Sequence, residues 1–305
     1  MPTTPSFEAI DLGYQGLVGA ANSFLLQTRE GPVLIEAGPQ ACVPALERGL
    51  KARGVEPASI RHCFVTHIHL DHAGAAGAIA ALGATVHVHP FGAPHLVDPS
   101  KLIASSRRVH GESYERWYGD PIPIPHERVH AVSNGEGVIV GELRFQAIET
   151  PGHARHHHAW CVRREGSESL LFTGDAAATF VPGSRFIGIP TPPPEYDLDA
   201  WRQSIGRIRE VGASRLVLTH GGAVDDPESH LRDMRTRLEE EDAWLRRELA
   251  ESDDDDAVLS RYRPWLHAKA NAAGVPPESR EVFIGDLWMG MNIMGVRRAM
   301  SKPRR

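Results

Sequence analysis

The sequence predicts an α/β core extended at its C-terminal end by helices. Three observations carry this reading. Strand-like and helix-like apolar patterns alternate through the first 226 residues. Histidine and aspartate stand repeatedly where a predicted strand gives way to a loop, the usual place for a site in an α/β protein. After Pro227 the pattern changes to long, charged, helix-favouring sequence. The expected division is a core over residues 1–226 and a helical extension packed on it over residues 227–305.

The elements follow in order. Residues 22–28 and 32–36 read as two short strands joined by a turn at Glu30 and Gly31. Residues 42–53 place Val43, Leu46 and Leu50 at helical spacing, and Gly54 stops the run. Residues 60–66 read as a buried strand that delivers the chain to His67. An alanine-rich helix is expected over 73–82, then a strand over 85–89. From 90 to 125 the pattern weakens, and Pro121, Pro123 and Pro125 alternate, so this stretch reads as a loop or insertion over the site. Residues 138–140, 143–149 and 159–163 read as a meander, and 170–172 as a buried strand ending at Asp175. A proline-rich loop at 190–194 precedes an amphipathic helix over 198–211 and a strand over 216–219 that ends at His220. The extension offers a long helix over 228–249, an acidic loop over 251–256 and a glycine-interrupted helical pattern over 281–300.

Composition narrows the function. With 41% hydrophobic and 24% charged residues, the 305-residue chain has the makeup of a soluble protein with one large core or two modest ones. A net charge of −6 argues against a nucleic-acid surface. Arg297, Arg298, Lys302, Arg304 and Arg305 cluster near the end and are read as a solvated tail. Three widely spaced cysteines, Cys42, Cys63 and Cys161, make no CxxC pair and no disulfide framework. Residues 1–10 show no basic or apolar leader, and no run of 18 apolar residues occurs, so a cytoplasmic protein is expected. The expected partner is a small-molecule substrate, with neither nucleic acid nor membrane, and homodimer formation is left open.

Histidine is the outlier, at 17 residues. The run His67-x-His69-x-Asp71-His72 should arise by chance only roughly 0.003 times in such a composition. Its chemistry suits metal binding. In an extended segment, alternate side chains point the same way, so His67 and His69 can face one ion together. A turn can redirect Asp71 and His72 to a second. Neutral imidazole suits zinc or iron, and carboxylate adds the charge that holds two cations close. His153, Asp175 and His220 follow at later strand ends. A carboxylate such as Asp175 can bridge two ions roughly 3.5–4 Å apart that hold a hydroxide between them. His87-x-His89 is a chance pair by the same arithmetic and is read as structural.

These motifs carry a resemblance. Thr66-His67-Ile68-His69-Leu70-Asp71-His72-Ala73-Gly74 resembles the signature of the metallo-β-lactamase superfamily. Thr150-Pro151-Gly152-His153, Phe172-Thr173-Gly174-Asp175 and Leu218-Thr219-His220-Gly221 resemble its later ligand motifs, in the same order. The resemblance covers about residues 7 to 225. It implies an α/β (α+β) fold, an αββα sandwich with metals at one edge. It also implies His67, His69 and His153 as ligands of one ion, Asp71, His72 and His220 as ligands of a second, and Asp175 between them. The implied activity is a metal-dependent hydrolase that uses a metal-bound hydroxide on an ester, lactone or thioester, with Asp71 and Asp175 as its catalytic carboxylates. The implied cofactors are two divalent ions, zinc foremost, with iron or manganese compatible. A phosphodiesterase or a non-hydrolytic metal- or oxygen-binding protein are the alternatives.

Details within the family sharpen this. Its β-lactamases usually carry Cys where Asp175 stands, and its diiron oxygen reductases carry Glu where His69 stands. The set here is similar to glyoxalase II, the lactonases and the tRNA-processing nucleases, and the 191–194 and 291–295 segments look most like a stand-alone bacterial and archaeal group. Two positions depart. Glu36 stands where Asp is common, and is expected to support a metal-binding histidine. Ala178 stands where lactonases often have Tyr, and Tyr118 and Tyr196 are the candidates to replace it. His156, His157 and His158 are assigned to loop packing or ligand support, and Arg107, Arg108 and Arg155 to solvent. Trp117 and Tyr118 could line a pocket over the metals.

Overall fold

The computed structural model describes residues 4–181 and 183–302. Among these residues two six-stranded sheets face each other. The first runs β1 (Glu8–Asp11), β2 (Asn22–Thr28), β3 (Gly31–Ile35), β4 (His62–Phe64), β5 (Thr85–Val88) and β6 (Val129–Ala131) in spatial order. The second holds β7 (Gly137–Val140), β8 (Leu143–Glu149), β9 (His158–Arg164) and β10 (Ser169–Phe172). After a small ribbon of β11 (Thr179–Phe180) and β12 (Ile187–Gly188), it closes with β13 (Arg215–Leu218) and β14 (Gly222–Val224).

Apolar residues on both faces of the strands explain the layering. Along β2 and β3, Phe24, Leu26, Val33 and Ile35 point into the space between the sheets, while Leu25 and Leu34 point outward under helices. The second sheet answers with Phe145, Trp160, Val162, Leu170, Phe172 and Val217 on its inner face. Phe64 and Phe145 stack across the gap with ring centroids 4.3 Å apart. Strands buried on both sides need helices on both sides, which gives the αββα sandwich.

The outer layers are helical. On the first sheet lie α1 (Val43–Lys51), α2 (Leu70–Ala73) and α3 (Ala76–Ala81). Residues 90–125, expected as a loop or insertion over the site, hold three short helices: α4 (Ala93–Val97), α5 (Ser100–His110) and α6 (Ser113–Trp117). None of α5 is fully buried, although Leu102 and Ile103 pack against the core. On the second sheet lies α7 (Leu198–Val211), capped by the Asp197 carboxylate accepting from Ala200 N–H.

The C-terminal residues form α8 (Pro227–Glu251), α9 (Asp255–Ala272), α10 (Arg280–Ile284) and α11 (Asp286–Met300). α8 packs on α7, and α9 and α11 pack on α8. The acidic stretch is largely a helix start: Asp254 caps α9, and Asp255 and Asp256 sit in its first turn, where the helix dipole favours negative charge. Arg297 is not a free tail residue, since it pairs with Asp255 at 2.6 Å. Arg304 and Arg305 lie outside the described residues. No described helix is long and apolar enough to cross a membrane.

Candidate metal centre

The sandwich brings all seven predicted ligands to one edge. His67 and His69 follow β4, and Asp71 and His72 lie in the short α2 that begins immediately after. His153 sits in the loop between β8 and β9, Asp175 in a helical turn after β10, and His220 just after β13. The two sheets are tied together here. His158 N–H donates to Thr66 C=O at 3.0 Å, and Trp160 Nε1–H donates to Val65 C=O at 3.1 Å. Gly152 lets the His153 loop approach α7: its φ is +139°, and a Cβ would fall 2.3 Å from Trp201 Cβ.

The donor atoms form two groups. His67 Nε2 and His153 Nε2 each lie 2.9 Å from His69 Nδ1. On the other side, His220 Nε2 lies 3.2 Å from His72 Nε2 and 3.4 Å from Asp71 Oδ2. Asp175 stands between them. Its Oδ2 is 3.3 Å from His153 Nε2, and its Oδ1 is 3.3 Å from His72 Nε2 and 3.5 Å from His220 Nε2.

Four of the five imidazoles are held from behind. His153 Nδ1–H donates to Pro190 C=O at 3.0 Å, and His220 Nδ1–H donates to Ala20 C=O. His67 Nδ1 lies 3.1 Å from Thr66 Oγ1, whose hydroxyl donates to Glu36 Oε1 at 2.6 Å. His72 Nδ1–H reaches the same Glu36 oxygen at 3.2 Å. These Nδ1 contacts orient the rings so that Nε2 of His67, His72, His153 and His220 faces inward.

The electrostatics divide the site in the same way. Burial, reinforced by neighbouring imidazoles, keeps His67 well below the usual histidine range and brings His69 to about 3. Burial also opposes charge on His72, but Asp175, Asp71 and Glu36 outweigh it and hold its pKa well above the ordinary value. Burial likewise opposes charge on Asp175, and His72, His153 and His220 overcome it. This donor set fits divalent cations. It offers imidazoles of which burial keeps His67, His69 and His153 neutral, two acidic side chains, and a buried Asp175 Oδ1 without a hydrogen-bond partner.

A cavity of about 380 Å³ opens onto the two groups. Its floor includes His69, Asp71, His153, Asp175 and His220. Trp117 and Tyr118 line one wall, and Phe283, Leu287, Trp288 and Met291 from α10 and α11 line another.

Comparison with known proteins agrees with this geometry. A family model for the metallo-beta-lactamase superfamily matches residues 16–220. The chain belongs to that superfamily. A metallo-beta-lactamase fold-containing protein from Sulfurisphaera tokodaii is 32% identical over 184 residues, 58% of this chain and 67% of that one. An N-acyl homoserine lactonase from Bacillus thuringiensis is 27% identical over 214 residues, 62% of this chain and 74% of that one. Among solved structures, an archaeal superfamily protein from Sulfolobus tokodaii matches with a TM-score of 0.68 at 21% identity, covering 96% of this chain and 98% of that one. A family protein from Thermus thermophilus matches at 0.63 and 22% identity, covering 97% and 92%.

Outside the metal groups the placements vary. His87 and His89 point away from the site: His87 bonds His62 and His130 at 3.0 Å, and His89 faces Glu149 at 3.4 Å. His156 lines the cavity, and His157 Nδ1 bonds Thr150 Oγ1 at 2.9 Å. Arg107 pairs with Glu115 and Asp120, and Arg155 covers the Phe91 ring. Of the two tyrosines, Tyr118 reaches the cavity, whereas Tyr196 is buried and donates to Asp242 at 2.8 Å. Tyr14, beside Tyr118 on the cavity wall, escaped the sequence reading because it lies in an isolated turn with no motif around it.

Proposed function

We propose that this metal-dependent hydrolase carries a dinuclear centre and cleaves an ester, lactone or thioester bond in a small molecule. The observation that carries the reading is Asp175, whose two oxygens face different histidine groups. His67, His69 and His153 would hold one divalent cation, and Asp71, His72 and His220 a second, with Asp175 shared. Zinc suits these donors, and iron and manganese accept them too. Cations bound there supply an acidified water as nucleophile and a Lewis acid for the carbonyl.

The chain's own residues supply the rest. The buried Glu36, Thr66, Ala20 and Pro190 contacts hold the imidazoles in place before substrate arrives. Asp71 keeps its carboxylate ionised, because His72 and His220 outweigh the effect of burial, and it is partly open to the cavity. From there it orients the attacking water. Burial and the nearby Asp71 push the Tyr118 phenol upward, so its hydroxyl stays neutral and can donate to a substrate oxygen. Phe283, Leu287, Trp288 and Met291 offer an apolar wall to a substrate substituent.

Similarity to N-acyl homoserine lactonases supports a carboxylic ester over a phosphate ester. So does the cavity lining, in which Lys101 is the one Lys or Arg side chain among the described residues. The test is elemental analysis of purified protein together with a panel of lactones, thioesters, aryl esters and phosphodiesters. Two equivalents of metal and turnover confined to carboxylic esters are expected. Full activity after complete metal removal, or turnover of phosphodiesters alone, would overturn the proposal.

A further inference from the structure

One polar side chain of the C-terminal helices grips the loop that backs His153. Asn292, in α11, is fully buried. Its Oδ1 accepts from Thr191 N–H at 2.8 Å, and its Nδ2–H₂ donates to Ile189 C=O at 2.8 Å. Between those two residues stands Pro190, whose carbonyl accepts from His153 Nδ1–H. Bonding the carbonyl before a residue and the N–H after it is how a neighbouring parallel strand would grip it, and here a single amide side chain does so.

The grip is itself supported. Asn292 Nδ2 also lies 3.2 Å from Glu241 Oε1 of α8, and that carboxylate bonds the Tyr262 hydroxyl of α9. Arg237 closes the group at 2.7 Å from Glu241 Oε2. One turn beyond Asn292, Gly295 brings α11 onto the same loop: a Cβ there would fall 1.7 Å from Thr191 O. Proline at 190 has no N–H to donate, so its segment is anchored through the flanking peptide groups.

We infer that Asn292 is a positioning residue for His153: by clamping Ile189 and Thr191 it aims the Pro190 carbonyl, and that carbonyl holds His153 in the tautomer that presents Nε2 to a metal. The C-terminal helices thereby set the affinity of one half of the centre. This rests on the ligand assignment proposed above. Removing the partner that orients a metal-binding histidine lowers metal affinity by about 10–100-fold.

The experiment compares zinc binding, by competition with a chromophoric chelator, in wild type, Asn292→Leu and Ile293→Ala. Ile293 is buried on the same helix and makes no polar contact with the loop, so its truncation reports loosened packing alone. One of two zinc equivalents should weaken by about 10–100-fold in Asn292→Leu and stay unchanged in Ile293→Ala. Unchanged affinity in Asn292→Leu, or equal losses in both variants, overturns the inference. Absence of zinc uptake by the wild type overturns the metal-centre reading instead. If Asn292→Leu does not fold, nitrogen-15 spectra of the metal-free wild type decide: His153 should carry its proton on Nδ1, slowly exchanging with solvent, and a proton on Nε2 overturns the inference.

Discussion

Glu36 Oε1 lies 3.2 Å from His72 Nδ1, and both side chains are sealed from solvent. The same carboxylate accepts from Thr66 Oγ1 at 2.6 Å and Thr219 Oγ1 at 3.2 Å, so one buried acid serves both the 66–72 and the 219–220 segments of the candidate site. Its backbone adopts φ +61°, a left-handed conformation that costs a non-glycine residue about 1–2 kcal/mol. Strain of that kind persists where surrounding contacts fix it, as these do.

Glu36→Gln tests this role. The amide cannot accept all of these hydrogen bonds, and it removes the charge opposite His72. Metal affinity should fall by about 10–100-fold, with kcat/KM falling alongside it at limiting metal. Excess zinc should restore part of the rate. Chelator competition and rate measurements over a zinc series check this, and a rate loss indifferent to zinc would count against it.

Asp175→Ala should cost more than any of the supporting residues. Asp175 faces both donor groups, so its loss leaves two sets of imidazoles without the shared negative charge. Metal content should fall from two equivalents toward one or none, and the rate should drop by more than the roughly 100-fold upper range for orienting groups. Mass-spectrometric metal analysis and steady-state rates give both numbers. Retention of two tightly held ions would remove Asp175 from the bridge.

The sequence was most legible where function concentrates residues in a short window. His67, His69, Asp71 and His72 are neighbours along the chain because a strand end and the short helix after it suffice to place them. His153, Asp175 and His220 were readable because each follows a strand with a strong apolar pattern. The supports were not. Pro190 and Ala20 act through backbone carbonyls, which no side-chain motif announces, and Asn292 meets Ile189 only after the chain has folded back. The helices over residues 93–117 were missed because they are short and half-exposed, and Pro94, Pro99 and Gly111 break the pattern between them. β1 is four residues with one buried side chain, too little to stand out.

The cavity wall predicts how substrate size is read. Phe283, Trp288 and Met291 line it and belong to α10 and α11, which carry none of the donor residues. Trp288→Ala should therefore raise KM for esters with large apolar substituents and leave kcat near its original value, the pattern of lost uniform binding. An increase of about 10-fold or more is expected for a bulky substrate, and little change for a small acetate ester. A parallel fall in kcat for both substrates would instead place Trp288 in the chemistry.

Acid stability offers a test remote from the donor groups. His87 stacks on Phe64 with ring centroids 4.3 Å apart, between His62 and His130. Burial, together with those two imidazoles, lowers its pKa to about 3. In the unfolded chain it titrates near 6.5. A depressed pKa means that the unfolded state takes up the proton first as pH falls. The neutral-histidine contribution is therefore complete above about 6.5 and is lost on acidification toward 3. From pH 7 to pH 5 the loss attributable to this one side chain is about 2 kcal/mol. His87→Phe, which preserves the stack on Phe64 and cannot protonate, should show a shallower loss of stability over that interval by about the same amount. Urea unfolding of wild type and variant at pH 7, 6 and 5 measures it. Parallel pH profiles would show that His87 is protonated in the folded protein, and that the three-imidazole chain across β4, β5 and β6 carries charge instead of excluding it.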